Sequence, residues 1–248
     1  MAVSSNNKVA LVTGGARRLG KDISIKLAEM GYDIVLNYNE SGKSVLEETI
    51  SRINDKGVTV TAIKCDVSKV NEIKKMFQAV NTKYKKLDVL VNNAGIFKRT
   101  DFLETNERTF DKFINTNLKS VFFCSQEATK IMLNSDENHS RIINIASLGG
   151  IENWTGHIPY SLSKIAVIKL TELLGKRLAP KILVNAIAPG TILMENDDNE
   201  NVNMDDLKKY PMKRFAKSKD LTSLIEYLVN ENNYITGQTF TIDGGKSL

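Results

Sequence analysis

The chain has few of the residues that form covalent or metal cross-links. Its 248 residues include only 2 cysteines and 2 histidines, and neither Cys65 nor Cys124 has partners at the spacing of metal ligands. We therefore interpret both cysteines as inert buried thiols and expect no bound metal. There are only 4 prolines, and no stretch rich in proline, glycine or serine forms a linker. This favours a single domain over residues 1–248.

Long apolar runs and clustered charge are also missing. The first eight residues lack the apolar core of a signal peptide, and no uninterrupted apolar run is long enough to span a bilayer. We therefore expect a cytoplasmic protein without membrane contact. The net charge is +5, but the lysines are spread over predicted helices. This dispersion argues against a nucleic-acid-binding face and indicates either solubility or attraction of an anionic cofactor or substrate carrier.

Segments of two periodicities alternate along the chain. Short apolar runs predict strands at 8–12, 33–36, 58–64, 87–91, 141–145, 182–187 and 239–242, and helical spacing predicts helices at 19–30, 41–56, 68–84, 104–133, 161–178 and 220–230. Ser68 is the expected N-cap of the third helix. Strands joined by such helices pair in parallel with right-handed crossovers. We therefore predict a single-domain α/β Rossmann fold, a doubly wound parallel sheet of about seven strands with helices on both faces and ligands at the carboxyl ends of the strands.

A tyrosine and a lysine are spaced i and i+4 at the start of the fifth predicted helix. Tyr160 and Lys164 therefore lie on one helical face, where the cation is expected to lower the pKa of the phenol and make it a general acid. Ser147 follows a buried-strand pattern, so its hydroxyl is expected beside that helix, with a capping or turn serine as the alternative. Asn117 lies in a predicted helix, where asparagine is unfavourable unless its amide has a local function.

Residues 13–20, Thr-Gly-Gly-Ala-Arg-Arg-Leu-Gly, join the first strand to its helix. Glycines let the backbone approach a pyrophosphate, and free N–H groups at a helix start hold the anion. A plain strand–helix turn is the alternative. Arg18 stands where the usual dinucleotide fingerprint has its middle glycine.

The end of the second strand indicates which dinucleotide binds. NAD-binding folds normally place a carboxylate there, whereas a 2′-phosphate requires cations. Asp33 lies at the start of that strand, and its end carries Asn37, Tyr38 and Asn39. We therefore predict NADPH/NADP+ rather than NADH, with Arg17 and Arg18 near the phosphates and Ser41 as an extra donor. Glu40 is unfavourable to this assignment.

Together these segments resemble the short-chain dehydrogenase/reductase family from about residue 8 to residue 245. The resemblance is carried by the turn at 13–20, Asp66-Val67, Asn92-Asn93-Ala94-Gly95, Asn117, Ser147, Tyr160 with Lys164, Pro189-Gly190 and Asp243-Gly244-Gly245. The arginine in place of the middle glycine looks like the branch that contains pteridine reductases. The resemblance implies a catalytic set of Asn117, Ser147, Tyr160 and Lys164. It also implies a cofactor-binding set of Gly14, Arg17, Arg18, Leu19, Gly20, Asn37, Tyr38, Asn39, Ser41, Asp66, Val67, Asn93, Ala94, Gly95, Tyr160, Lys164, Pro189, Gly190, Thr191 and Ile192.

The same resemblance implies roles for individual residues. Asp66 would accept from the adenine amino group, although a capping role for the next helix is equally consistent with its place. Residues 189–192 would face the nicotinamide carboxamide. Asn117 would hold a water that connects Lys164 to solvent, with Asn115 as the rival. Asp243-Gly244-Gly245 forms either part of the site or a simple turn.

The function implied is NADPH-dependent reduction of a carbonyl to an alcohol. Ser147, where pteridine reductases often carry aspartate, favours a 3-oxoacyl-(acyl-carrier-protein)-type or general carbonyl reductase acting on a small or carrier-bound substrate. The alternatives are a pteridine or dihydropterin reductase and a secondary-alcohol dehydrogenase working in reverse. A non-enzymatic NADPH-binding protein is disfavoured because the tyrosine, lysine and serine are all present.

Two further features concern access to the site and assembly. Residues 193–217, acidic to 206 and then basic, are expected to form a lid over the substrate, with a polar loop without a role as the alternative. Phe97, Trp154 and His157 are candidates for lining the pocket. The apolar surface of the helical regions 104–133 and 161–178, together with the family resemblance, implies a homotetramer.

Overall fold

A computed structural model describes residues 7–134, 140–194, 202 and 204–248. Strands and helices alternate along the chain as predicted. The strands are β1 (Val9–Val12), β2 (Asp33–Tyr38), β3 (Val60–Lys64), β4 (Val89–Asn92), β5 (Ser140–Ile145), β6 (Ile182–Pro189), β7 (Ile192–Leu193), β8 (Ala216–Lys217) and β9 (Thr239–Ile242). The helices are α1 (Arg18–Glu29), α2 (Lys43–Asn54), α3 (Val70–Tyr84), α4 (Glu107–Ile114), α5 (Ser120–Met132), α6 (Ile158–Leu178) and α7 (Ser218–Glu226).

Seven of these strands form one parallel sheet in the order β3-β2-β1-β4-β5-β6-β9. The chain runs outward from β1 to β3, then returns to pair β4 with the other side of β1. At such a switch point the two connecting segments diverge and leave a crevice beyond the carboxyl ends of β1 and β4. The predicted doubly wound α/β fold is confirmed.

Apolar side chains cover both faces of this sheet. All residues of β1, β4, β5 and β6 are buried, as expected for parallel strands between two layers of helices. One core joins the sheet to α1 and α7, and the other joins it to α3 and α5. Each fully buried leucine, isoleucine or phenylalanine contributes about 1.5–3 kcal/mol. These two layers therefore hold the strand ends, and the site built on them, in fixed positions.

Both cysteines are buried in the second of these cores. Burial raises the pKa of the Cys65 thiol to about 12, and nearby Glu72 and Asp66 raise it further. Burial also raises the pKa of Cys124. Both thiols therefore remain protonated and unreactive at neutral pH.

Three predicted boundaries need correction. Ser68 does not cap α3, because its hydroxyl donates to the Asp66 carboxylate (2.7 Å) and the helix begins only at Val70. The second strand is longer than predicted and includes Asn37 and Tyr38. The helical region before β5 begins at residue 107 and contains a wider π-helical turn at Asn115–Lys119, between α4 and α5. Such turns are frequent at functional sites.

Two properties of the described ranges bear on function. None of the helices in them is both long and apolar enough to cross a membrane. In the same ranges, no group of three or more histidine, cysteine, aspartate or glutamate side chains is arranged to hold a metal ion.

Candidate active site

The turn after β1 is shaped to receive a ligand backbone rather than side chains. Gly14 has a φ of +61°, in the left-handed region, and an added Cβ there would lie 3.1 Å from the Ala94 Cα. An added Cβ on Gly20 would collide with the Gly14 carbonyl oxygen. The glycines therefore bring the turn, the start of α1 and the loop after β4 close together. This arrangement fits the predicted dinucleotide phosphate site.

Asn37, near the end of β2, hydrogen-bonds to the backbone of this turn. Its side-chain Oδ1 accepts from the Gly14 N–H (3.1 Å), and its backbone carbonyl accepts from Gly15 (2.9 Å). Its Nδ2 donates to the Cys65 carbonyl (3.0 Å). The N–H groups of the two glycines are therefore already engaged and do not bind an anion themselves. The available N–H groups belong to the first turn of α1, which no side chain of the described residues caps.

Arg18 retains the backbone shape of the glycine that it replaces. Its φ is +51°, in the left-handed region that side chains rarely adopt. The strain expected of such a conformation is about 1–2 kcal/mol. Both Arg17 and Arg18 are exposed at the start of α1, where their charges can reach a phosphate of a bound dinucleotide.

The loop after β4 joins the turn to the catalytic residues. Thr13 Oγ1 accepts from the N–H groups of Asn93 (2.9 Å) and Ala94 (3.0 Å), and Asn93 Nδ2 donates back to the Thr13 carbonyl (2.9 Å). An added Cβ on Gly95 would lie 3.4 Å from Asn117 Oδ1 and 3.6 Å from Lys164 Nζ. The loop thus passes from the phosphate turn directly to the catalytic pair.

The π-helical turn directs Asn117 into the site. Its Nδ2 donates to the Ser163 hydroxyl (3.1 Å), which donates in turn to the Tyr160 carbonyl (2.6 Å). Its Oδ1 accepts from the Ile96 N–H (2.8 Å). Asn115 instead accepts from the exposed Lys119 side chain. Asn117, and not its rival, is therefore tied to the helix that bears Tyr160.

Tyr160 and Lys164 are both buried in the first turns of α6. Burial raises the pKa of Tyr160 to about 12, which the nearby Ser147 hydroxyl partly offsets. Burial lowers the pKa of Lys164 to about 8, and its Nζ donates to the Ile145 carbonyl (2.8 Å). The expected lowering of the tyrosine pKa by Lys164 is thus not achieved by the protein residues alone. Desolvation dominates the pKa of Tyr160, and the opposing contribution comes from the Ser147 hydroxyl.

Ser147 combines its expected position with the alternative capping role. It lies two residues after the end of β5, is buried, and accepts from the Gly149 N–H (3.1 Å) at the start of a short 3₁₀ turn. Its influence on the pKa of Tyr160 shows that the two hydroxyls are neighbours. Asn117, Ser147, Tyr160 and Lys164 are therefore all brought together at the carboxyl edge of the sheet.

Phe97, Trp154 and Phe113 contact the Tyr160 ring, Phe113 edge-on with ring centroids 6.5 Å apart. Phe97 contacts the Tyr160 ring edge-on, with ring centroids 4.9 Å apart, and stacks on His157 at 4.7 Å. Trp154 lies nearly parallel to Tyr160, at 6.5 Å and 14°. Burial lowers the pKa of His157, and Arg99 lowers it further, so the stacked imidazole is neutral at pH 7. Phe97 and Trp154 are therefore neighbours of the phenol, and His157 is joined to it through both of them. That these residues line the pocket stays a prediction.

The residues at and after the ends of β2 and β3, most of them in the predicted cofactor-binding set, differ in solvent exposure. Asn39 and Glu40 are exposed, and Tyr38 and Ser41 are half-buried. The Asp66 carboxylate accepts from the Ser68 N–H (3.0 Å), and Val67 is buried. The remaining predicted cofactor residues not yet placed are Leu19, which is half-buried at the start of α1, and Pro189, Gly190, Thr191 and Ile192 at the end of β6.

Tyr210 is a structural partner of the site that the sequence interpretation missed. Its hydroxyl accepts from the Thr191 N–H (3.1 Å) and donates to Thr191 Oγ1 (2.9 Å), and its ring is buried. The one signal in the sequence is an aromatic residue inside an otherwise basic, polar segment. Tyr210 belongs to the predicted lid, of which residues 195–201 and 203 lie outside the described residues. Strands β7 and β8 pair near the two ends of that segment.

Comparison with known proteins decides the family. The family model described as short chain dehydrogenase matches residues 8–205, well over half of the chain. The chain belongs to the short-chain dehydrogenase family. This short-chain dehydrogenase is therefore an oxidoreductase that converts between carbonyl and alcohol groups with a nicotinamide cofactor. The four side chains predicted to be catalytic are all buried.

Relatives of this short-chain dehydrogenase cover almost its whole length. The 3-oxoacyl-(acyl-carrier-protein) reductase of Staphylococcus epidermidis is 40% identical over 246 residues, covering 96% of this chain and 98% of the relative. The corresponding reductase of Staphylococcus aureus is 38% identical, covering 96% and 97%. Among solved structures, acetoin dehydrogenase from Enterobacter cloacae superposes with a TM-score of 0.89 at 29% identity, covering 98% of this chain and 97% of that one.

Proposed function

We propose that this enzyme reduces the 3-oxo group of an acyl thioester, on an acyl carrier protein or a related carrier, with NADPH. The observation that carries the proposal is the meeting of Asn117, Ser147, Tyr160 and Lys164 beside the glycine turn, all four buried. The names of the relatives at 38–40% identity support the substrate class. The serine at 147 agrees with this class.

Cofactor binding draws on both halves of the chain. The turn at Gly14 and the start of α1 would hold the pyrophosphate, Gly95 offers room beside Lys164, and Thr191 is held in place by Tyr210. When bound, NADPH supplies the hydride that is added to the carbonyl carbon. The residues of the chain supply everything else, namely orientation of the substrate and a proton.

Proton delivery falls to Tyr160. Because its pKa is raised to about 12, the phenol is protonated at neutral pH and can give its proton to the carbonyl oxygen as negative charge develops there. The Ser147 hydroxyl donates a hydrogen bond to the same oxygen. The Lys164 ammonium then stabilises the tyrosinate until a solvent proton returns to it. Asn117, tied to Ser163 and the backbone of Ile96, fixes the distance between these groups.

Preference for NADPH has its own support. Asp33, the acidic residue of β2, lies at the amino end of the strand, where its carboxylate accepts from the Thr59 N–H (2.8 Å). It therefore cannot grip a ribose at the other end. The exposed charges of Arg17 and Arg18 suit a phosphate. Glu40 is also exposed nearby and would weaken, but not reverse, the preference.

One panel of assays tests the substrate and the cofactor together. Acetoacetyl thioesters of coenzyme A and acyl carrier protein, a dihydropterin and simple ketones are each offered with NADPH or NADH, and oxidation of the nucleotide is followed. We expect the highest kcat/KM with the carrier-linked thioester and at least about tenfold preference for NADPH. Faster turnover of the dihydropterin, or a preference for NADH, would overturn the corresponding part of the proposal.

A homotetramer and the lid are proposed as well. Helices α5 and α6 present exposed apolar side chains, among them Phe122, Leu162, Ile165 and Leu173, which are 44–58% exposed in the single chain. Such a surface normally marks an interface. Light scattering on a sizing column should give four chains per particle. Proteolysis within 193–217 should slow when NADPH and substrate are both added, and an unchanged rate would argue against the lid.

A further inference from the structure

After β9 the chain turns back and brings Lys246 to Glu152, in the segment between Ser147 and Tyr160. Gly244 and Gly245 have φ values of +63° and +82°, which turn the chain back on itself. Lys246 Nζ then lies 3.1 Å from Glu152 Oε2, and the two side chains are only 15% and 26% exposed. The ion pair Lys208–Asp205, by contrast, is 86% and 85% exposed. A partly buried pair loses less of its attraction to solvent screening than such an exposed one.

The same carboxylate also holds Trp154. Glu152 Oε2 accepts from Trp154 Nε1 at 2.6 Å, and Lys246 Nζ lies 5.1 Å from the centroid of the indole ring. One acidic oxygen thus bridges an ammonium and an indole N–H, while the ammonium also contacts the ring face. Such a cation–π contact is attractive because the ring face carries negative charge density. The orientation of Trp154 is therefore set by Lys246 from two directions.

Trp154 is in turn next to the reacting group. Its ring is almost parallel to that of Tyr160 and is packed so closely on Gly149 that an added Cβ there would lie 2.6 Å from the Trp154 Cε3. Lys246 Nζ is also 5.8 Å from the ring of Tyr210, whose hydroxyl holds Thr191. Lys246 accordingly contacts Trp154, which lies beside the Tyr160 phenol, and Tyr210, which supports the predicted cofactor residue Thr191.

We propose that Lys246 is a positioning residue that holds Trp154, through Glu152, as the wall on which the apolar part of the substrate packs beside Tyr160. The segment after β9 thereby determines how well a carbonyl compound is bound, not how fast a bound one reacts. The kinetic part of this inference rests on the proposed function. The conformational part does not.

The effect of Lys246 on the position of Trp154 can be measured by fluorescence. The chain has 1 tryptophan, so the intrinsic tryptophan fluorescence of the full-length protein reports Trp154 alone. Lys246→Met keeps the length of the side chain but removes its charge. We expect a red-shifted emission and a roughly twofold higher acrylamide quenching constant. Lys246→Arg should restore the emission of the wild type, because it returns a cation. Lys208→Met, at an exposed lysine, is the matched control and should not alter it.

The kinetic part is tested with the best substrate of the assay panel. Lys246→Met should raise KM about fivefold, the factor expected for loss of about 1 kcal/mol, with kcat and the Kd of NADPH within twofold. Glu152→Gln is the second variant, since it keeps an acceptor for the indole but removes the charge that holds the ammonium. It should show the same KM effect in a weaker form.

The outcomes separate the two parts. Wild-type fluorescence and quenching in Lys246→Met would overturn the positioning role whether or not any carbonyl substrate has been found. Altered fluorescence with unchanged KM would overturn the role in substrate binding. A parallel loss of NADPH affinity, or no rescue by Lys246→Arg, would show a general structural role instead. If Lys246→Met does not fold, Glu152→Gln decides: the same changes in fluorescence and KM are expected in a weaker form, and wild-type values of both would overturn the positioning role.

Discussion

Buried charges lie at both edges of the sheet but are used differently. At the amino edge, Asp33 accepts from Thr59, Asp88 accepts from the Val9 N–H (2.6 Å), and Arg141 donates to the Leu228 carbonyl (3.2 Å). Each joins one strand start to the backbone of a distant segment. At the carboxyl edge, Asp243 is buried just after β9 and accepts from the Gly245 and Ser247 N–H groups. Lys164 is also buried at this edge, and beside it lies the phenol of Tyr160.

The difference shows what makes a buried charge functional. The amino-edge groups form hydrogen bonds with backbone groups, and these bonds contribute to the stability of the fold. Within the described ranges, Lys164 makes one hydrogen bond, to the Ile145 carbonyl, although an ammonium has three donors. Its remaining capacity is available to the tyrosinate and the cofactor. Changes at the carboxyl edge should therefore alter activity, whereas changes at the amino edge should alter stability.

The largest effect is expected for Tyr160→Phe. Without the phenolic proton, kcat should fall by about 10³-fold or more, while the melting temperature and the Kd of NADPH remain as in the wild type. Stopped-flow oxidation of NADPH and a fluorescence titration measure the two quantities. Activity within tenfold of the wild type would show that another group delivers the proton.

Arg141→Ala tests the opposite edge. It leaves buried carbonyls without their donor and should lower the free energy of unfolding by about 3 kcal/mol in urea titrations. The kcat of the molecules that remain folded should not change. Arg52→Ala, at an exposed arginine of α2, is the control and should have almost no effect. A selective loss of kcat in Arg141→Ala would contradict the contrast between the edges.

Lys164→Met should reduce activity but increase stability. The lysine pKa is lowered from 10.5 to about 8, a cost of about 3 kcal/mol for the buried charge, from which roughly 1 kcal/mol is subtracted for the lost hydrogen bond to Ile145. The variant should thus be about 2 kcal/mol more stable at pH 7.

The pH dependence of this gain has a definite sign. Below pH 8 both the folded and the unfolded wild-type protein carry the charge, so the penalty is complete. As the pH rises from 8 towards 10.5, the folded protein loses the proton first and the wild type regains stability. Melting temperatures measured across this range should therefore converge. A variant that is less stable than the wild type at pH 7 would refute the buried-charge explanation.

The smallest effect is expected at Arg18. Arg18→Gly relieves the left-handed conformation and should stabilise the protein by about 0.5–1 kcal/mol after the greater flexibility of glycine in the unfolded chain is counted. The KM for NADPH should rise several-fold, with that for NADH unchanged. Arg18→Ala also lacks the guanidinium but keeps the strain, so it should share the kinetic effect without the gain in stability. Equal stability of the two variants would show that the strain is negligible.

The sequence predicts the parts of this protein that depend on local pattern. The alternation of strands and helices follows from periodicity, and the placing of Tyr160 and Lys164 together follows from their spacing on one helix. The contacts of Asn37 with Gly14, of Arg141 with Leu228 and of Tyr210 with Thr191 could not be predicted, because the two residues of each pair are 19 or more positions apart. The raised pKa of Tyr160 could not be predicted either, because the spacing of Tyr160 and Lys164 indicates their proximity but not the desolvation of the phenol.

Asn37 has a consequence for how quickly the enzyme takes up its cofactor. Asn37 hydrogen-bonds to Gly14 in the turn after β1 and to Cys65 directly after β3. The sheet therefore holds the proposed phosphate-binding turn in shape before a nucleotide binds. Little backbone freedom is then left to lose at the moment of encounter. Cofactor association should accordingly be limited by diffusion and charge attraction, with a rate that falls as salt is added.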